Sequence, residues 1–167
     1  EYRVLNVDLT RNLVAAATAG GVQRFVMMSS VKVMGEGGFE PQDESAPIRP
    51  DSTYGRTKLQ AENLVHAAGK RDGLHTAVLR APLIYGPGVK GNLRTMVAAV
   101  RRRRFPPIPD TGNRRSLVDV RDVVSALVLA AFHPAAAGKT YLVTDGRWYS
   151  THEMHDLIRA AFGRGPV

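Results

Sequence analysis

Cysteine is absent from the 167 residues. That excludes disulfides and thiolate metal sites, and it suits a reducing, cytoplasmic setting. No apolar run approaches the ~20 residues that a membrane helix needs, and the start carries no secretory leader pattern. Internal repeats and low-complexity segments are missing too. A further absence concerns phosphate. A dinucleotide-binding domain opens with a strand and a Gly-rich turn that cradles a pyrophosphate at a helix N-terminus. Gly35-Glu-Gly-Gly38 follows an apolar strand and is not poised to open a long helix, and Gly86-Pro-Gly88 is a sheet exit. Such a turn is expected in residues ahead of Glu1, where a βαβ unit takes ~30 residues. The expectation is that these residues are a fragment and bind a dinucleotide weakly by themselves.

What is present is an ordinary globular composition, 44% apolar, with a net charge of +8. A basic balance attracts anions. The densest cluster is Arg101 to Arg104. It reads either as a solvated helix end, where the dipole favours cations, or as help in binding a phosphorylated ligand. No aromatics are interleaved with these arginines as single-strand binders require, so neither nucleic acid nor membrane is an expected partner.

Along the chain, strands and helices alternate. Residues 2–19 carry a helical stripe (Val4, Leu5, Leu9, Leu13, Val14, Ala17) stopped by Gly20-Gly21,. Residues 23–29 form an apolar strand expected to be buried on both faces. A loop over 31–50, rich in Gly, Pro and acids, has a length that usually covers a site. Asp51 or Ser52 caps a helix running to about Lys70. Strands are expected over 75–80, 116–120 and 140–144, and helices over 91–104, 121–133 and 150–162. The prolines of 105–112 exclude a helix or central strand there. The alternation implies an α/β fold with a parallel, Rossmann-like, doubly wound sheet.

The chemistry centres on Asp51-Ser-Thr-Tyr-Gly-Arg-Thr-Lys58. Tyr54 and Lys58, four residues apart, share a helix face. An ammonium beside a phenol favours phenolate and lowers the tyrosine's pKa from ~10. Upstream, Arg24-Phe-Val-Met-Met-Ser-Ser30 ends in two hydroxyls. By strand alternation one of Ser29 and Ser30 faces the site and the other the opposite sheet face. Alone, a Tyr-Lys pair is equally a surface pair; with a serine-ended strand it suggests hydride chemistry at a nicotinamide. His152 and His155 lack metalloprotease spacing, and Ser150-Thr-His-Glu153 reads as a capping box on a solvated helix start. No metal site is expected. Trp148 and Tyr149 read as packing residues.

The ordered set of Asn6 in Val-Leu-Asn-Val-Asp, Ser29-Ser30, Tyr54-Gly-Arg-Thr-Lys58, Arg80-Ala-Pro-Leu-Ile-Tyr-Gly-Pro-Gly88 and Arg114-Arg-Ser-Leu-Val-Asp-Val-Arg-Asp122 resembles the extended short-chain dehydrogenase/reductase family. Within that family it is most similar to the NAD-dependent epimerase/dehydratase group, and the likeness covers nearly the whole chain. The resemblance implies that Tyr54 is the general acid/base and that Lys58 holds the nicotinamide ribose. Ser30 hydrogen-bonds the reacting oxygen, and Asn6 supports the lysine. It implies further cofactor contacts from Ser29, Tyr54, Pro82 and Leu83, and substrate contacts from Ser30, Asn92 and Arg115. Phe105 to Ile108 would run beside the nucleotide base.

The implied cofactor is NAD, with NADP left open. The implied substrate is a nucleotide sugar, and the implied assembly a homodimer through helices 2–19 and 52–70. The expected division is 1–86 and 116–146 in the Rossmann-like portion, with 87–115 and 147–167 in a small substrate lobe. Dehydratases of the family usually follow the active-site hydroxyl with Asp-Glu. Val31 and Lys32 stand there instead, which disfavours 4,6-dehydration and leaves a UDP-hexose 4-epimerase as the leading expectation. Leu83 stands where many of the epimerases carry an asparagine, which leaves the exact substrate open. The alternatives are a reductase or dehydrogenase of a non-sugar alcohol or ketone, such as a 3β-hydroxysteroid or a flavonoid-type carbonyl, and a non-catalytic remnant of the fold.

Overall fold

The structure, a computed structural model, describes residues 1–37, 40–106 and 109–165. It divides into two compact units, Glu1–Ala81 with Asp122–Val143, and Pro82–Arg121 with Thr144–Val167.

The first unit is built on a parallel sheet in the order β1-β2-β5, with β1 Arg24–Ser30, β2 His75–Ala81 and β5 Lys139–Leu142. Helices α1 (Leu9–Ala19) and α2 (Thr53–Asp72) cover one face, and α4 (Val120–Phe132) covers the other. The alternation of β2 serves both layers. Val78 packs with Val14, Met27, Ala61 and Val65, while Ala77 and Leu79 pack with Ala130 and Ala136. Complete burial of side chains such as Val65 and Val78 contributes about 1.5–3 kcal/mol each,. The doubly wound parallel sheet expected from the sequence is therefore present.

Two expectations are corrected. The strand buried on both faces is β2, between two neighbours; in β1, Val26 and Met28 are only half-buried. The apolar stripe of residues 2–19 does not face inward as a whole. Val7 and Val14 do, whereas Val4, Leu5, Leu9 and Leu13 are exposed. On α4, Leu127 and Ala130 pack inward while Val124, Val128, Leu129 and Phe132 lie at the surface.

In the second unit, β3 (Leu83–Tyr85) pairs in parallel with β4 (Arg115–Asp119), which pairs antiparallel with β6 (Trp148–Tyr149). Helices α3 (Gly91–Arg101) and α5 (Thr151–Ala161) supply its core: Leu93, Met96, Val100, Leu117 and Met154. The strand expected over 116–120, in the portion read as returning to the Rossmann-like sheet, is β4, which pairs with β3 and β6 in a sheet separate from β1-β2-β5. Ser150 caps α5 by accepting the Glu153 N–H at 3.0 Å. His155 is buried against Phe105 (ring centroids 5.4 Å apart), on the inward side of α5 with Met154, not in a solvated helix start. Trp148 is exposed beneath the Arg114 guanidinium, which corrects its reading as a packing residue, while Tyr149 joins the core.

Candidate active site

The start of α2 is fixed by Ser52, whose Oγ accepts the Gly55 N–H at 3.1 Å,. This sets Tyr54 in the first turn and Lys58 one turn later. Ser30 ends β1 and caps the short turn Val31–Val33, its Oγ accepting the Lys32 N–H at 3.3 Å. That turn lies directly on α2. A Cβ at Gly55 would fall onto the Lys32 carbonyl oxygen and against Pro50. Glycine is thus required at 55 for close approach, although its residue sits in an ordinary helix. The Ser30 hydroxyl, at the head of that turn, is a hydrogen-bonding group that favours the Tyr54 phenolate.

Both Tyr54 and Lys58 are half-buried. Burial raises the Tyr54 pKa above its usual 10.0. The Ser30 hydroxyl opposes this, and Tyr2, whose ring meets Tyr54 edge-on at 5.5 Å, adds to it. Burial likewise holds Lys58 below 10.5, with the Glu62 charge opposing. The expectation of a phenol lowered by its lysine is therefore corrected for this structure. Desolvation penalises both charged forms, and the Lys58 Nζ is turned to the Met28 carbonyl at 3.1 Å.

Asn6 lies in a π-helical turn, Arg3–Asp8, ahead of α1. Such turns are frequent at functional sites. Its Nδ2 donates to Thr57 Oγ1 at 3.0 Å, and Thr57 Oγ1 donates to the Tyr54 carbonyl at 3.0 Å. Asn6 thus braces the backbone of the tyrosine through Thr57. Ser29 is buried, and its Oγ bonds Glu62 Oε1 at 2.5 Å.

The remaining expected residues belong to the second unit. Pro82 separates β2 from β3, and Leu83 is half-buried in the apolar cluster. Asn92 is exposed in the first turn of α3, where it lines a hollow with Arg94, Thr95, Arg102 and Arg104. Arg115 is exposed at the start of β4, opposite Tyr149. Phe105 packs in the core, while Pro107 and Ile108 lie outside the described residues.

Sequence reasoning missed Gly55, Thr57 and Glu62. For Glu62 a signal existed: a carboxylate between Ala61 and Val65 stands on the inward stripe of an otherwise amphipathic helix,. Among the described residues no group of three His, Cys, Asp or Glu could hold a metal ion, and no helix is long and apolar enough to cross a membrane.

Residues 1–144 match the profile of the NAD dependent epimerase/dehydratase family. The chain belongs to the NAD dependent epimerase/dehydratase family. It is 37% identical over 159 residues to UDP-glucose 4-epimerase of Vibrio cholerae, covering 92% of this chain and 48% of that protein. It is 33% identical over 163 residues to 3beta-hydroxysteroid-dehydrogenase/decarboxylase isoform 1 of Arabidopsis thaliana, covering 94% of this chain and 37% of that one. Among solved structures it is similar to MoeE5 in complex with UDP-glucose and NAD, with TM-score 0.83 and 32% identity over 96% of this chain and 55% of that chain. The chain therefore spans about half the length of the first two of these three proteins, or less.

Proposed function

We propose that the protein is an NAD-dependent epimerase of a nucleotide sugar, of the UDP-hexose 4-epimerase kind, working through a transient 4-keto sugar. The observation that carries this reading is the Ser30–Tyr54–Lys58 junction, closed by the glycine at 55. The donor set suits the ligands: a half-buried ammonium for a ribose diol, and a hydroxyl and a phenol for a secondary alcohol. Tyr54 and Lys58 would hold the nicotinamide ribose, and NAD, when bound, accepts and returns a hydride at the sugar's C4. Tyr54 takes the proton from the 4-hydroxyl and returns it, Ser30 hydrogen-bonds the oxygen as it becomes a carbonyl, and Asn6 steadies the tyrosine through Thr57. The second unit serves as the substrate lobe, with Asn92 and Arg115 toward the diphosphate; a guanidinium is suited to bidentate phosphate contact.

A second reading, a reductase of a non-sugar alcohol, draws on Leu83, whose side chain is committed to the apolar cluster. Turnover of UDP-galactose with NAD retained supports the epimerase. Released NADH with stoichiometric ketone supports the second reading.

In the full-length protein, Tyr54→Phe is expected to lower turnover by about 10²–10⁴-fold; unchanged activity overturns the acid/base role. The sign of the pH effect follows from the buried phenol. Its ionisation is held to alkaline pH, so the rate rises with pH toward that pKa. Ser30→Ala removes the group that favours phenolate and is expected to move the rising limb further alkaline.

The exposed Val4, Leu5, Leu9 and Leu13 support a homodimer through this helical face and α2. Light scattering tests it: Leu9→Glu with Leu13→Glu is expected to halve the mass, and an unchanged mass rejects this interface.

A further inference from the structure

The reaction described above leaves one buried polar cluster of the first unit without a task. Glu62 and Arg80 are 2% and 6% exposed. Arg80 donates Nε and Nη2 to the two carboxylate oxygens at 3.1 and 2.7 Å. Ser29 Oγ bonds the same carboxylate at 2.5 Å. Three elements meet there: Glu62 on α2, Arg80 on β2 and Ser29 on β1, with Ser29 and Arg80 directly paired in register.

Each is the near neighbour of a site element. Ser29 precedes Ser30, and Glu62 stands one helical turn beyond Lys58. The surroundings are apolar, with Met27, Ala61, Val65 and Val78 in the same layer. In such a place an ion pair is a poor device for stability alone, since hydrophobic residues of similar volume are often neutral or better. What apolar side chains cannot supply is direction. A two-pronged guanidinium–carboxylate contact with a hydroxyl on one oxygen fixes angle and register together.

Resting on the acid–base reading of the junction, we propose that Glu62 is a positioning residue for Ser30, Tyr54 and Lys58: held by Ser29 and Arg80, it locks the end of β1 against α2 and sets a buried negative charge one turn from the Lys58 ammonium. Among the described residues, the polar and charged groups tied to this cluster and to the junction can be named. Tyr54, Glu62 and His66 come from α2, and β2 brings Arg80. From β1 come the Met28 carbonyl, Ser29 and Ser30, and from the π-helical turn and the residue before it come Asn6 and Tyr2. Among these, Glu62 is the group whose charge opposes the lowering of the Lys58 pKa by burial.

The test uses the full-length protein with three variants: Glu62→Gln, Ser29→Ala, and the double Glu62→Leu/Arg80→Leu. Thermal unfolding is measured for each, together with kcat and KM for the UDP-sugar and the rate of acetylation of Lys58 by acetic anhydride at fixed pH, read by mass spectrometry. Loss of Glu62 lowers the Lys58 pKa and enlarges the free-amine fraction. The double variant is expected to melt no lower than the parent, to acetylate Lys58 several-fold faster, and to lose kcat by about 10–100-fold, the scale of misplaced reacting groups, with KM little changed.

Glu62→Gln strands the Arg80 charge, so it is expected to melt lower than the double variant and to acetylate Lys58 at least as fast,; Ser29→Ala is expected to move acetylation and kcat by smaller factors, so a double variant that fails to fold leaves the inference open to refutation. Folded variants with unchanged Lys58 acetylation and unchanged kcat overturn it. Faster acetylation in Glu62→Gln alongside a Tyr54→Phe protein of normal activity instead overturns the acid–base reading and leaves the positioning of Lys58 standing.

Discussion

The two units contain the same kind of ion pair in opposite settings. In the first, Arg80 and Glu62 are closed off from water and joined by Ser29. In the second, Asp119 pairs with Arg121, whose side chain is 82% exposed, and also accepts the Arg121 N–H at 2.8 Å where α4 begins. One carboxylate ties three elements together inside a layer; the other, itself only 8% exposed, finishes a helix end and meets an arginine that stays in solvent. Burial of the arginine, not pairing geometry, separates the roles. An exposed pair can be lost with little consequence, whereas removing one partner of a buried pair strands a charge.

The largest effect should come from breaking the buried pair. Arg80→Met leaves Glu62 without its counter-ion and is expected to destabilise the protein by about 3–5 kcal/mol in urea unfolding. A loss no greater than that of Arg121→Ala would erase the contrast between the units. Next comes Gly55→Ala. The added methyl forces the Ser30 turn away from α2, at about 1–3 kcal/mol of overpacking, and lowers turnover as well as the unfolding midpoint. A wild-type rate would mean that the close approach is not needed.

The smallest effect is expected from Arg121→Ala. The Asp119 carboxyl is held at about 2 instead of 3.8, first by the Arg121 side chain and then by its N–H. A depressed carboxyl contributes stability that is present above its ordinary pKa and lost as pH falls through its folded one. The window is therefore pH 4 down to about 2,. In Arg121→Ala, NMR titration should find the Asp119 pKa part of the way back toward 3.8, since the N–H remains, and acid unfolding should begin at higher pH.

Much of the first unit could be read from the residues alone. The apolar run at 75–81, the Tyr54–Lys58 spacing and the Ser-ended strand each carry periodicities that admit few folds. The second unit was harder for a physical reason. Its strands are two to five residues long, too short for alternation to register, and β3 hides behind a proline. Directions were less legible than positions. The stripe on residues 2–19 is real, but its periodicity does not say which part meets the core and which meets the surface. The sign of the Tyr54 shift depended on how much water the fold removes, a quantity that spacing does not contain. Ser29 and Ser30 could be told apart only once Glu62 had claimed one of them.

The glycine in the first turn of α2 changes what the spacing between tyrosine and lysine means. Those three intervening residues look like free filler, and any pattern search treats them so. Gly55 is dictated by a carbonyl pressed against it, and Thr57 by its bonds to Asn6 and to the Tyr54 carbonyl. Only Arg56 points outward, reaching Asp51 and Thr53 at the surface. A search that demands a glycine after the tyrosine and a hydroxyl before the lysine, and leaves the residue between them open, would retrieve chains built to bring a serine turn this close, and would pass over the many helices that merely carry a tyrosine and a lysine four apart.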